Sequence, residues 1–196
     1  MATLQSIRNK GVLLAVVIGV ALLAFIIGDF LNSGSTLFHQ SKQNVAEING
    51  EKINIQAYQE AIDQMNTVYK IESGRSDFNE NEMSQLRTQV WENMINERVL
   101  RAEAAKMGLT VSTEELRDKL IGKNIHSLIL QRPAFMDPQT GQFSQAALLQ
   151  FYNSVFDDNV PQESQDQLRE AKSYWLFWEN AVKNSILQDK YLALIG

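Results

Sequence analysis

The chain has 196 residues, a formal net charge of −5, 44% hydrophobic residues, three prolines and no cysteine. That length leaves room for one buried core beside any membrane segment, and the acidic balance offers nucleic acid no basic stripe on which to release its counterions. The missing thiols exclude structural disulfides and thiol chemistry.

Residues 11–31 read GVLLAVVIGVALLAFIIGDFL, with no charge before Asp29. A helix over 11–28 is ~27 Å long, and carried on to Leu31 it covers a hydrocarbon core of ~30 Å. Arg8 and Lys10 precede it, and the positive end stays in the cytoplasm, so the chain after residue 32 is expected on the far side. A cleaved secretory signal shares this outline, but its apolar run is only ~7–15 residues and ends at a small-x-small site. Here the nearest such site is Ser33-Gly34-Ser35, beyond a longer run. The reading is a signal anchor over residues 1–32, embedded in the lipid bilayer, a linker over 33–44 and a domain over 45–196. Setting aside Arg8, Lys10 and Asp29 leaves 16 cations against 22 anions, a net −6 outside the membrane. Gly11, Ala15 and Gly19 share one face of the anchor, where small side chains let another membrane helix approach closely. Glycine and alanine are also common in membrane helices generally, and that is the preferred reading over a specific docking face.

Residues 32–43 are polar and turn-rich, and His39 reads as an exposed linker histidine. Val45 to Ile53 reads as a tight β-hairpin, with Asn49-Gly50 supplying the positive φ of a type I′ turn. Gln, Asn, Glu, Leu and Ala are plentiful, so helices should follow, and a mainly α fold class is expected. Asn54 caps a helix to about Glu72 with Tyr58, Ile62, Met65 and Tyr69 on one face. Asn79 and Glu82 form a capping box opening a helix from Glu80 to Met107, and Gly108 stops it. Its expected apolar face carries Met83, Leu86, Val90, Met94, Ile95, Val99 and Ala102. Ser112 and Glu115 form a second box, for a helix ending near Gly122. After an irregular passage with Pro133, Pro138 and Gly141, Ser144 caps a helix carrying Leu148, Phe151, Tyr152 and Val155. The last helix spans about Ser164 to Leu194, with Leu168, Trp175, Trp178 and Val182 on one face.

Three stretches carry a family likeness: VAEINGEKINIQAYQEAIDQM at 45–65, LRTQVWENMINERVLRAEAAKMGLTVSTEEL at 86–116 and PAFMDPQTGQFSQAALLQFY at 133–152. Together they resemble the SurA-N-type chaperone module. With the basic start and the single anchor, the chain is similar to the PpiD-like family of membrane-anchored periplasmic folding factors, over the anchor and about residues 45–190. The resemblance implies a single-pass protein of the bacterial inner membrane, its N-terminus in the cytoplasm and its helical domain in the periplasm. It would stand at the Sec translocon (SecYEG) and meet unfolded exported and outer-membrane polypeptides. The family normally carries parvulin-type peptidyl-prolyl isomerase domains as well. This sequence has no parvulin-like strand pattern and only two histidines, so such a domain is expected beyond residue 196.

The residues offer their own support for client binding. Methionine and broad aromatics repack around many sequences, and the candidates are Met94, Met107, Phe151, Tyr152, Tyr174, Trp175, Phe177 and Trp178. The run from Tyr174 to Trp178 is apolar around the whole helix, so either a second element covers its far side or part of it is exposed and binds something. Catalysis is not expected within these residues, and neither a cofactor nor a metal is called for. Glu114-Glu115 and Asp157-Asp158 are adjacent pairs that do not converge on one point. His126 lacks a metal-spaced partner, and the phosphate-loop and nucleophile-elbow motifs are missing. Three readings stand: a client-binding chaperone module, a structural accessory of the translocon, and the non-catalytic part of an isomerase.

Overall fold

A computed structural model describes residues 21–22, 44–75, 77–157, 161 and 164–196. The chain divides into two units, Met1–Val45 and Ala46–Gly196. The span expected at 11–31 lies outside the described residues except for Ala21 and Leu22, which are helical, and so does the linker except for Asn44. Among the described residues no helix is long and apolar enough to cross a membrane.

From Asn44 onward the described residues are mainly helical and open on a two-stranded hairpin, β1 (Asn44–Ile48) and β2 (Glu51–Asn54). Asn49 and Gly50 have φ of 51° and 82°, the left-handed pair that a type I′ turn requires. A lone hairpin is marginal in water. This one is held by Ile53, which is fully buried among Ile62, Met65, Leu86 and Val90.

Helix α1 (Ile55–Ser73) starts where the Asn54 side chain accepts from the Ala57 amide at 2.6 Å, and it stops at Gly74 with φ 68°. Its buried positions are Ile62, Met65 and Val68. Tyr69, expected on that face, is exposed and meets Phe78 edge-on at 5.8 Å. The stripe advances by three residues and so winds around the helix, because α1 must serve two cores.

Helix α2 (Glu80–Lys106) carries both halves of its capping box, Glu82 N–H to Asn79 Oδ1 and Asn79 N–H to Glu82 Oε2, each 2.9 Å. At its other end Leu109 N–H donates to the Ala104 carbonyl at 2.9 Å and Gly108 N–H to Ala105 at 3.1 Å, with Gly108 at φ 68°. This pairing is a Schellman closure. Leu86, Val90 and Met94 are buried as expected, but Val99 is 41% exposed. The face that began as core emerges at the rim of a groove.

Helix α3 (Thr113–Ile121) is capped by Ser112 Oγ, which accepts from the Glu115 amide at 3.1 Å. The expected second half of that box gives way to a tertiary contact. The Glu115 carboxylate takes Lys190 Nζ at 2.5 Å, and the same ammonium donates to the Thr110 carbonyl at 2.8 Å. The irregular passage holds the short α4 (Ser127–Leu130), capped by His126 Nδ1, and a 3-10 turn (Pro133–Phe135) that seats Phe135 in full burial. Asp137 then accepts from the Gln139 and Thr140 amides at 2.8 and 2.9 Å, turning the chain back so that Ser144 N–H reaches the Phe135 carbonyl at 2.8 Å.

Helix α5 (Gln145–Val155) buries Leu148 and Val155. Helix α6 (Gln165–Ile195), ~46 Å long by its rise, is the spine: α1, α2, α3, α4 and α5 all pack on it. One core gathers Val68, Phe135, Leu148, Tyr174, Trp175 and Val182, and a second gathers Ile53, Ile62, Met65, Leu86, Val90 and Met94. Phe177 touches both.

Candidate functional site

The circumferential aromatic run of α6 is resolved by two-sided burial. Tyr174, Trp175 and Trp178 are 0%, 1% and 9% exposed. The Pro133–Phe135 turn and α5 cover the side of them that α1 does not. Phe135 meets Phe151 at 5.4 Å and Tyr174 at 6.2 Å, and Tyr152 meets Trp175 at 5.1 Å, all edge-to-face. That arrangement sets the positive ring edge against the negative face. Phe151 and Tyr152 are thus half-buried members of the same core. Of the run, Leu176 faces water and Phe177 lies half-buried at a groove.

A polar cluster locks this core to the end of α1. Arg132 Nη1 donates to both Glu72 oxygens at 2.9 and 3.3 Å, and its Nε donates to the Leu128 carbonyl at 2.8 Å. The guanidinium lies 4.0 Å from the centre of the Trp178 ring, within cation–π range. Tyr174 donates its hydroxyl to Glu72 at 3.2 Å. Burial, and then the negative charge of Glu72, push the Tyr174 phenol well above its usual ionisation range. It therefore stays a donor throughout the physiological range. His126, at the core edge, has its pKa lowered chiefly by burial, so the neutral ring that accepts from the Leu128 amide at 3.2 Å is the favoured form.

The candidate site is a groove of about 670 Å³ between α1, α2 and α6, a volume in the range of ligand clefts. Its floor is apolar: Met65, Val90 and Met94 are core residues seen from the groove side, with Phe177 and Ala181 beside them. Val99, Leu100 and Leu192 form an apolar rim, of which Val99 and Leu192 are 41% and 51% exposed. Side-chain amides alternate with these groups: Gln64 from α1, Asn93 and Asn96 from α2, Asn180, Asn184 and Gln188 from α6. Its charged lining residues are Glu97 and Glu103. Asn180 ties α6 to α2 by donating to Glu97 Oε1 at 2.9 Å while its oxygen accepts from Arg101 at 3.0 Å, and Arg101 also pairs with Glu97.

Of the candidate client-contact residues, the groove brings together Met94 and Phe177. Met107 is 45% exposed at the end of α2, outside the groove lining. Gly11, Ala15 and Gly19 lie outside the described residues. The amide set was not singled out from the sequence. Its signal was present, since Asn180, Asn184 and Gln188 recur every four residues, but a polar face on a helix ordinarily means solvent.

A family model for the SurA-like N-terminal domain matches residues 4–152. No curated protein and no solved structure matches the chain. The matched segment takes in the apolar stretch near the N-terminus, the hairpin and the helices through most of α5. It ends at Tyr152, short of the expected limit near residue 190, so α6 lies outside it. The match spans well over half of the sequence, and the chain belongs to the SurA-like N-terminal domain family.

Proposed function

We propose that this protein is a chaperone that holds extended, unfolded polypeptides in the groove between α1, α2 and α6. The observation that carries this reading is the open groove itself, with an apolar floor and mixed amide walls, in a domain of the SurA-like family. Apolar surface supplies affinity without direction, and the flexible Met65 and Met94 adapt to different side chains.

The finer proposal is a single-pass protein of the inner membrane, anchored by residues 11–31, with its helical domain in the periplasm. There it would work beside the Sec translocon, as PpiD-like folding factors do, on exported and outer-membrane polypeptides. The run of uncharged residues behind Arg8 and Lys10 supports the anchor and its orientation. The translocon as partner rests on the family resemblance.

The test is aggregation of an outer-membrane β-barrel protein diluted from urea, followed by light scattering, with the full chain in lipid nanodiscs. Stoichiometric chain should suppress scattering, and Val99→Trp, which fills the groove from an exposed position, should abolish most of the effect without unfolding the domain. Undiminished aggregation with the wild-type chain would refute the proposal.

A further inference from the structure

We propose that the groove grips about five residues of an extended chain through their backbone amides. This rests on the chaperone reading and names what that groove recognises.

Four groove amides have no hydrogen-bond partner among the described residues: Asn93 and Asn96 on α2, Asn184 and Gln188 on α6. The Asn184 oxygen is also withdrawn from water, a costly state for a polar atom that a small rearrangement around an occupant would relieve. Each such amide both donates and accepts, and so does each peptide unit of an extended chain. Amide walls over an apolar floor therefore match the backbone of any sequence while leaving its side chains to the methionines.

The spacing fits. One i to i+4 step on α6, such as Asn184 to Gln188, advances ~6 Å along the axis. An extended chain repeats its same-side groups every two residues, ~6.4–6.8 Å apart. From Asn180, where the bridge to Glu97 joins the walls, to Leu192 at the rim, α6 runs ~18 Å, which is the length of about five extended residues. The two carboxylates of the lining are already paired, Glu97 with Arg101 and Glu103 with Lys106, so the groove carries no unbalanced charge to select one sign of client.

Fluorescence anisotropy with the full chain in nanodiscs tests this with four kinds of labelled decapeptide. The parent is neutral, apolar and unstructured; the others are a scramble, a version N-methylated at every second residue, and a pair with a central Lys or Glu. The scramble should bind within about threefold of the parent, and N-methylation, which removes backbone donors and keeps the side chains, should weaken binding about tenfold or more. The Lys and Glu peptides should bind within about threefold of one another, since the carboxylates of the groove are balanced by their own cations. Asn184→Leu combined with Gln188→Leu should weaken the parent about fivefold and leave the N-methylated peptide unchanged, a difference that loss of fold would not produce. An N-methylated peptide binding as tightly as the parent, or a scramble that loses binding, overturns the proposal. Failure of every peptide to bind the wild-type chain refutes the chaperone reading itself and takes the proposal with it.

Discussion

Breaking the Glu72–Arg132 pair should cost far more than breaking a surface ion pair. The two side chains are 24% and 16% exposed, and the carboxylate accepts from both the guanidinium and the Tyr174 hydroxyl. At 2.9 Å and an effective dielectric of ~20 the gross attraction is ~6 kcal/mol, much of it offset by desolvation of the two ions. The net worth of the pair is small, but removing one partner strands the other. Arg132→Met keeps the side-chain volume and leaves Glu72 uncompensated at the core edge. It also loses the contact over Trp178, so about 3 kcal/mol of stability should go, the low end of buried-pair losses because both ions retain some water. Glu72→Gln keeps an acceptor for Tyr174 and should cost about 2 kcal/mol. The double variant, with neither charge, should cost about 3 kcal/mol in place of the additive 5, a coupling of about 2 kcal/mol. Urea unfolding of the three variants in detergent, followed by tryptophan fluorescence, reads the cycle directly, since Trp175 and Trp178 sit in the affected core. Costs that add to within about 0.5 kcal/mol, or an Arg132→Met variant that loses less than about 1 kcal/mol, would refute the reasoning.

Gly122→Ala should lower stability by about 1–3 kcal/mol, since a Cβ there would stand 2.6 Å from the Asp118 Cα and 2.8 Å from its carbonyl oxygen; an unchanged melting temperature would contradict the close approach. The Tyr174 phenol keeps its proton when phenols of the unfolded chain, with the ordinary value of 10.0, have lost theirs. The native state then binds the extra proton, so stability should fall as pH rises above 10, by up to ~1.4 kcal/mol per unit, and Tyr174→Phe should remove that part of the slope in urea titrations. His126 behaves in the opposite sense. Its folded-state pKa is lowered from 6.5 by burial, so the unfolded chain takes up the proton first, and stability should decline as pH drops below 6.5. His126→Asn, which retains a cap acceptor and does not titrate, should flatten that decline, and an unchanged pH profile would show that the ring is not held neutral.

Local signals settled most of the element boundaries. Asn-Gly at 49–50, Asn54, the Asn79/Glu82 box, Gly108 and Ser144 are short-range devices whose geometry depends on a few neighbouring residues, and each lies where its chemistry places it. Where the reading of residues departed from the fold, a distant partner intervened. Glu115 left its cap for Lys190, 75 positions away, because a charge-assisted contact with an ammonium outcompetes a neutral amide donor. Tyr69 and Val99 left the buried stripe because α1 and α2 each divide their faces between neighbours.

The mainly helical class, the hairpin, the caps and the apolar stretch at 11–31 are legible in the residues alone, since periodicity and turn chemistry are properties of contiguous residues. That the Tyr174–Trp178 run belongs mostly to a core, and that a row of amides lines the groove, emerges from the packed helices. Whether an apolar ring is covered, or a polar face meets water or a cleft, depends on which helices arrive against it. That is fixed by packing among segments more than a hundred residues apart, such as Glu72 and Tyr174, whose separation is 102.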